Sequence, residues 1–157
     1  MIIENAQVVV ITDLVNKFYW ARTAGPYRIA TQVREAGYTC QVLDCFTSFS
    51  DEELYTLFNK VVGTKTLIVG LSSTFFANLD HHESPLASKA TQKDFAGATK
   101  NYPYNQERMI KYFNHIKKIN PNVKIVLGGA NASWLTAPGT DTFITGLADN
   151  AIVEYLK

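Results

Sequence analysis

The chain has 157 residues, of which 46% are apolar and 18% charged, a composition typical of one folded globular domain with a single core. Lys and Arg (15) nearly cancel Asp and Glu (14), so no net field favours nucleic acid or a membrane surface as a partner. The two cysteines, Cys40 and Cys45, fit neither a disulfide framework nor a redox or zinc motif. Since the first residues lack a basic segment and no apolar run reaches about 18 residues, we expect a cytoplasmic protein.

In chain order, the first element is a strand over residues 7–12 (QVVVIT). Its continuous β-branched character is typical of a central strand buried on both faces. A loop follows, and apolar residues then recur at helical spacing from Pro26 until Gly37. Residues 39–43 predict the second strand.

The second helix has the clearest start, because Ser50 and Glu53 form a capping box ahead of an apolar helical stripe. Residues 66–71 (TLIVGL) predict the third strand. The residues that follow are rich in Ser, Thr, Asn, Gly and Ala and lack periodicity. We therefore expect an inserted loop over residues 75–101.

The last third of the chain repeats the pattern with a third helix and two more strands. The fourth strand covers residues 123–127 (VKIVL) and is closed by Gly128 and Gly129, and residues 142–145 form a short fifth strand. A final helix begins at Asp149 and continues to the end of the sequence. This ending suggests a domain cut from a longer protein.

Strands that alternate with helices predict right-handed crossovers and a parallel sheet covered on both faces. We expect one domain over residues 1–157, a three-layer αβα sandwich with a doubly wound, five-stranded parallel sheet of the flavodoxin-like or Rossmann-like kind. Such sheets bind ligands beyond the carboxyl ends of their strands, where the strand order reverses. The predicted site therefore consists of residues 12–26, 71–76 and 128–134.

The first part of this site follows the first strand. Thr12 and Asp13 begin a loop whose aromatic and cationic residues, 17–22, suit a flat, anionic or amide-bearing ligand. Gly25 and Pro26 open the first helix, where free backbone N–H groups form an anion site. The alternatives are a loop that only covers the edge of the sheet and a plain helix start.

The other candidate residues follow the third and fourth strands. They are Ser72, Ser73, Thr74, Gly128, Gly129 and Asn131. The hydroxyls and the amide would supply hydrogen bonds to a ligand, and the glycines would let the backbone approach it closely. A turn or cap role explains the hydroxyls equally well, and a tight strand-to-helix turn explains the glycines.

Residues 80–83 (DHHE) carry metal-ligand chemistry, but adjacent histidines point apart, so we expect no metal site. The sequence contains no Ser-His-Asp, Cys-His or zincin pattern. We therefore expect no catalytic residue and no catalysis by this chain alone.

Four segments, in their order and spacing, resemble the cobalamin-binding-type domain at the amino end of many radical S-adenosylmethionine enzymes. They are GPYRIATQVREAGY (25–38), LIVGLSST (67–74), NPNVKIVLGGANA (120–132) and DTFITGLADNAI (141–152). In that family the third-strand serine and the glycine pair after the fourth strand help to cradle the corrin and its nucleotide tail. The resemblance assigns these roles to Ser72, Gly128 and Gly129.

The family's cobalt-coordinating Asp-x-His-x-x-Gly motif is missing, because Asp13 is followed by Leu, Val and Asn and no histidine precedes His81. Thr74 and Asn131 also depart from the family's common residues. The resemblance therefore implies cobalamin without an axial histidine from the protein, or no cobalamin. The cysteine triplet for an iron–sulfur cluster is absent as well, so that cluster and S-adenosylmethionine would belong to a catalytic domain outside this sequence, in cis or in trans.

Two other families share the predicted fold but need different residues after the first strand. A flavin carrier needs a hydroxyl-rich phosphate loop there, and a response-regulator receiver needs an acidic pair, whereas this chain has Asp13, Leu14 and Val15. The remaining alternative is a cofactor-free module that uses the first loop and the insertion to dock a partner or catalytic domain.

Overall fold

The computed structural model describes residues 2–12, 24–46, 49–72, 106–129, 139–146 and 148–157. Within these segments the strands are β1 (Val8–Ile11), β2 (Cys40–Leu43), β3 (Ile68–Ser72), β4 (Lys124–Gly129) and β5 (Thr142–Thr145). The helices are α1 (Ala24–Glu35), α2 (Asp51–Val61), α3 (Gln106–Ile119) and α4 (Ala148–Leu156). None of the described helices is long and apolar enough to cross a membrane.

The five strands form one parallel sheet in the order β2-β1-β3-β4-β5. β1 lies inside the sheet, and Val8 pairs with Cys40 on one side and with Ile68 on the other. The strand order reverses between β1 and β3, which is the point where sheets of this kind bind ligands. The predicted three-layer αβα sandwich with a doubly wound parallel sheet is confirmed.

One face of the sheet, which we call the packed face, is covered by α2 and α3 and contains large side chains. Tyr112 lies at its centre, with ring centroids 5.6 Å from Phe46 and 5.8 Å from Phe58. All three side chains are almost completely buried. Such aromatic contacts add to the free energy gained from burying the rings.

A polar group ties α2 to α3 at the edge of the packed face. Asp51 accepts hydrogen bonds from the Tyr112 hydroxyl and from Arg108 Nε, the latter at 2.6 Å. Arg108 also donates to the carbonyl oxygen of Phe49 and lies 5.4 Å from the Tyr112 ring centroid. Burial and the bond to Asp51 raise the pKa of Tyr112, so its hydroxyl remains a donor.

The other face, which we call the cavity face, is covered by α1 and α4 and contains smaller side chains. Successive residues of a strand point to opposite faces. Val8 and Val10 of β1 therefore lie on this face, whereas Val9 and Ile11 lie on the packed face. The two helices contribute Ala30, Val33, Ala148 and Ile152 to the apolar cluster on this face.

The predicted helix signals are present in the structure. Ser50 Oγ accepts from the Glu53 N–H at 3.2 Å, and the Glu53 carboxylate accepts from the Ser50 N–H at 2.8 Å. The hydrogen bond from the Ser50 N–H to the carboxylate, helped by the Ser50 hydroxyl, lowers the pKa of Glu53. At the end of α1, Gly37 has φ +92°. Its N–H donates to the backbone carbonyl oxygen of Arg34, and the Tyr38 N–H donates to the backbone carbonyl oxygen of Val33. This is a Schellman motif, which explains the glycine there.

The glycine pair lies differently from the prediction. Gly128 and Gly129 do not follow β4 as a turn but form its last two residues, where Gly128 pairs with Ser72 of β3 and with Ile144 of β5. Gly129 has φ +116°, a conformation that favours glycine, whereas Gly128 does not have a positive φ. The two glycines therefore have different roles.

Candidate functional site

A cavity of about 510 Å³ lies between the cavity face of the sheet and the helices α1 and α4. Side chains and backbone of four neighbouring strands line the side toward the sheet: Val10, Gly70, Leu71, Val126, Gly128 and Ile144. The helices contribute Gly25, Pro26, Ile29, Ala148, Asp149 and Ile152. The volume falls within the range of about 300–1,000 Å³ that is usual for small-molecule sites.

Gly70 and Gly128 leave the space above the sheet free. A Cβ atom at Gly70 would lie 4.0 Å from the carbonyl oxygens of Val9 and Val126, with nothing closer, and at Gly128 it would lie 3.8 Å from Ala148 Cβ. Neither residue has a positive φ. Because a glycine inside a strand weakens the strand and here serves no backbone need, its effect is to keep the cavity open.

The cavity reaches the carboxyl edge of the sheet, where Ser72, Gly129 and Gly146 line it. Ser72 ends β3, and Gly146 follows β5 with φ +79°. Ser72 lies two residues after Gly70, so the alternation of the strand places both on the same face. A hydroxyl at this edge can donate or accept one hydrogen bond with a ligand.

Both helices that border the cavity begin at the same edge, because each follows directly on a strand of the parallel sheet: α1 comes after β1 and α4 after β5. Asp149 lies in the first turn of α4, and its Oδ2 is 2.7 Å from Nε of Arg28 on α1. The Asp149 side chain is 14% exposed and the Arg28 side chain 69%. The acid at this helix start is favoured by the helix dipole.

The predicted anion site at the start of α1 has a limited set of donors. Pro26 lacks an N–H, so the first turn of α1 offers fewer donors than a typical helix start. Among the described residues that line the cavity, Asp149 alone carries a charged side chain, and its charge is negative. Because that charge is paired with Arg28, the described lining offers an anion no positive side chain of its own.

Five of the predicted site residues meet in this cavity: Gly25, Pro26, Ser72, Gly128 and Gly129. Thr12 does not line it; this residue is fully buried, and its backbone bonds to Leu43 and Phe46. The structure does not describe Asp13, Ser73, Thr74 or Asn131, nor the acidic and histidine residues 80–83. Those predictions lie outside the described residues.

Sequence reasoning missed several lining residues, above all Gly70 and Asp149. Gly70 could have been found from the sequence, because it interrupts an otherwise apolar strand. A glycine in such a position indicates a β-bulge or a place where another group approaches the backbone closely. The sequence pattern indicates Asp149 only as the start of a helix. Its position beside the cavity depends on how α4 packs across the sheet. The residues next to Asp149 in the sequence do not indicate that packing.

The described residues contain no group of three or more His, Cys, Asp or Glu side chains that could hold a metal ion. Cys40 and Cys45 are not joined in a disulfide bond. Burial, opposed by the charge of Arg34, raises the pKa of Cys40 to about 11. A buried thiol with a raised pKa is a poor nucleophile and a poor metal ligand.

No protein-family model matches this chain, and no curated protein matches it. Among solved structures, it is similar to a salicylyl-acyltransferase, SsfX3, from a tetracycline biosynthetic pathway, with a TM-score of 0.40 and 16% sequence identity. The match covers 96% of this chain and 39% of the acyltransferase chain. A similarity of this size carries no argument about the present protein.

Proposed function

We propose that this chain is a cobalamin-binding-like domain that serves a radical S-adenosylmethionine catalytic domain, in cis or in trans, in the cytoplasm. It performs no catalysis alone. The observation that supports the proposal is the cavity above Gly70 and Gly128. It opens at the carboxyl edge and is lined by Ser72, Gly128 and Gly129, the residues to which the resemblance assigns the cofactor contacts.

The volume and the mainly apolar lining of the cavity support a place there for the flat part of such a cofactor. Cobalamin carries a nucleotide tail that ends in a flat aromatic base, and Gly70 and Gly128 leave free space above the strands for a ring of that kind. The lining is mainly apolar, as expected for a site that buries a ring. In this proposal Ser72 supplies a hydrogen bond at the mouth of the cavity.

Cobalt would receive no ligand from the described part of the chain. His115 is the histidine in that part, and it lies on α3, at the packed face, with Nε2 2.9 Å from Asn59 Oδ1. Bound cobalamin would supply alkyl-cobalt chemistry, and the protein would bind and orient it. The iron–sulfur cluster and S-adenosylmethionine belong, in this proposal, to the catalytic domain.

The test is a titration of hydroxocobalamin into the purified chain while the visible absorption spectrum is followed. We expect a saturable spectral change at micromolar concentrations and cofactor that stays with the protein through desalting. Ser72→Val should weaken binding, because it removes the hydroxyl and narrows the mouth. Thr145→Val is the matched control, since Thr145 ends β5 and is exposed.

No spectral change and no retention with the wild-type chain would overturn the proposal. That result would favour the cofactor-free module that docks a partner domain. Equal weakening by Ser72→Val and Thr145→Val would show that the cavity is not where the cofactor binds.

A further inference from the structure

The sheet has two outer strands, β2 and β5, and their free edges differ. An outer strand presents unpaired backbone N–H and C=O groups, with which another strand can pair. The Leu43 carbonyl of β2 accepts from the N–H that follows β1, so the alternation of the ladder turns the backbone of Cys40 and Val42 outward. Arg34 Nη2 donates to the Cys40 carbonyl and Gln41 Nε2 to the Val42 carbonyl, both at 2.7 Å. The β2 edge is therefore covered by side chains of its own neighbourhood.

The β5 edge has no such cover. The Ile144 carbonyl oxygen lies toward β4, 3.8 Å from the position of a Cβ atom at Gly128. The alternation of the ladder therefore turns the backbone groups of Phe143 and Thr145 outward. No hydrogen bond within the described part of the chain involves these outward groups. Their N–H and C=O groups are thus open to a further strand.

Exposed aromatic side chains flank the β5 edge on both faces of the sheet. Phe143 is 46% exposed and lies on the side of the packed face, because its neighbour Ile144 lies on the cavity face. Tyr155 of α4 is 41% exposed, and its hydroxyl lies 3.1 Å from Thr142 Oγ1. Exposed rings beside open backbone groups are the combination that protected edge strands avoid.

The β5 strand also lacks the charges that usually prevent pairing between edge strands. Residues 142–146 (TFITG) are uncharged, whereas Lys is the residue that most often protects such an edge. The acid that precedes the strand, Asp141, is paired with Lys117 at 2.8 Å. The whole chain has a formal net charge of +1, so two copies repel each other only weakly. The edge therefore suits a second copy of the same chain.

We propose that two copies of this chain pair through β5 as an antiparallel, two-fold symmetric dimer whose sheet is continuous across the interface. The axis passes beside Phe143, so that its N–H and C=O bond to those of Phe143 of the partner subunit. The two rings then lie side by side, and cross-strand aromatic pairs stabilise such ladders. A two-fold interface uses the same surface on both copies, so one exposed strand per chain is sufficient. Pairing through β5 does not depend on what the cavity binds.

The test is sedimentation velocity of the purified chain at concentrations from about 10 µM to about 1 mM. The strand is short and the interface small, so we expect a weak dimer with a dissociation constant of roughly 10–100 µM. Phe143→Lys places two like charges opposite each other and should raise this constant at least about tenfold. Leu67→Lys is the matched control, because Leu67 is 43% exposed but precedes β3. It should leave the constant within about twofold of the wild-type value.

Thr145→Pro separates the backbone contribution from that of the ring. Proline is tolerated on an edge strand where its missing N–H would face the solvent, so the variant should fold and keep the Phe143 ring exposed. In the proposed register the Thr145 N–H donates to the carbonyl of Asp141 of the partner subunit. Its removal from each copy should raise the dissociation constant about fivefold or more.

Cysteine variants test the register. The two Cβ atoms at position 143 should lie about 5.5 Å apart, whereas those at position 145 are offset by four residues, or about 13 Å. With oxidised glutathione as the oxidant, Phe143→Cys should therefore form a disulfide-linked dimer. Thr145→Cys and the wild-type chain should not.

A wild-type chain that stays monomeric up to about 1 mM would overturn the proposal and leave the β5 edge to a strand of another protein. A dimer that Phe143→Lys and Leu67→Lys weaken equally would overturn it as well, as would equally efficient disulfide formation by Phe143→Cys and Thr145→Cys. Failure of hydroxocobalamin to bind is a separate result, because it would contradict the proposed function and leave the dimer unaffected.

Discussion

The two faces of the sheet share the same strands but differ in how their side chains are packed. On the packed face, α2 and α3 close over aromatic rings, and Asp51 and Arg108 tie the two helices together. On the cavity face, α1 and α4 lie over strands in which glycine replaces a side chain at Gly70 and Gly128. Both faces contain buried apolar residues, and the cavity described above lies on the cavity face.

This difference indicates that the packed face mainly stabilises the fold and that the cavity face mainly binds a ligand. A cavity forfeits the dispersion contacts and the burial that a filled core would provide. The packed face can offset that loss because its aromatic cluster is dense and its polar residues are paired. We therefore expect substitutions on the packed face to change the free energy of unfolding, and substitutions on the cavity face to change ligand binding.

The largest expected effect is that of Phe58→Ala on the packed face. Phe58 is completely buried and contacts the rings of Phe46 and Tyr112. Its truncation should lower the free energy of unfolding by about 3–5 kcal/mol, measured by urea denaturation. Ile29→Ala, at the partly buried wall of the cavity, should cost clearly less because the space beside it is already open. Equal losses would contradict the proposed difference between the faces.

The second prediction compares the effects of Gly63→Ala and Gly70→Ala on the free energy of unfolding. A Cβ atom at Gly63 would lie 2.4 Å from Oδ1 of Asn5, which accepts a hydrogen bond from the Lys65 N–H. Gly63→Ala should therefore lower the free energy of unfolding by about 1–3 kcal/mol through this clash. Gly70→Ala meets nothing closer than 4.0 Å and should change it by less than about 0.5 kcal/mol. Thermal or urea unfolding of the two variants checks the contrast.

Low pH should lower the free energy of unfolding by protonating Asp51 at the edge of the packed face. The hydrogen bond from Tyr112 and the interactions with Arg108, opposed by burial, hold the pKa of Asp51 below its ordinary value of 3.8. A carboxyl whose pKa is lower in the folded state stabilises the protein above its unfolded pKa and loses that contribution as the pH falls through the folded pKa.

Asp51→Asn should therefore reduce stability by about 1 kcal/mol at pH 7, a modest figure because the side chain is 48% exposed. The loss relative to the wild type should shrink as the pH is lowered below about 4, in urea unfolding curves measured at several pH values. Asp141 should contribute to the acid sensitivity in both proteins. Burial raises its pKa, but the bonds from Lys117 and from the Ile125 N–H outweigh that effect and lower it. A pH-independent difference between wild type and variant would contradict the role of Asp51.

The last stability effect is that of Ser50→Ala at the start of α2. It removes the acceptor for the Glu53 N–H and should cost about 1 kcal/mol. Thr56→Ala is a suitable control, because Thr56 is exposed on the same helix and its hydroxyl bonds only to the carbonyl of Glu52. A loss for Thr56→Ala as large as that for Ser50→Ala would argue against the cap.

Local patterns in the sequence predicted most of the fold. The capping box of Ser50 and Glu53, the end of α1 at Gly37 and the strands were all predicted from hydrophobic period and from residues with a defined backbone role. These features depend on neighbours in the chain. The end of β4 was predicted incorrectly, because glycine signals a turn locally but here forms strand pairs with Ser72 and Ile144.

The site was predicted less completely for a physical reason. Its edge follows from the rule for parallel sheets, which predicted Ser72 and the glycine pair at the edge where the cavity lies. The cavity itself depends on which residues of β1, β3 and β4 share a face and on where α4 crosses them. Gly70 and Asp149 line the cavity because of that three-dimensional arrangement, so the sequence alone did not indicate their place in it.

The most direct test of the central claim is the affinity of hydroxocobalamin for Gly70→Leu compared with the wild-type chain. A Cβ atom at this position would lie no closer than 4.0 Å to any other atom, and the rest of a leucine side chain would extend into the cavity that Gly70 lines, so we expect the variant to remain folded. The account predicts that binding weakens by at least about tenfold, because the ring would have to displace the new side chain. Undiminished binding by a folded Gly70→Leu variant would contradict the claim that this cavity is the ligand site.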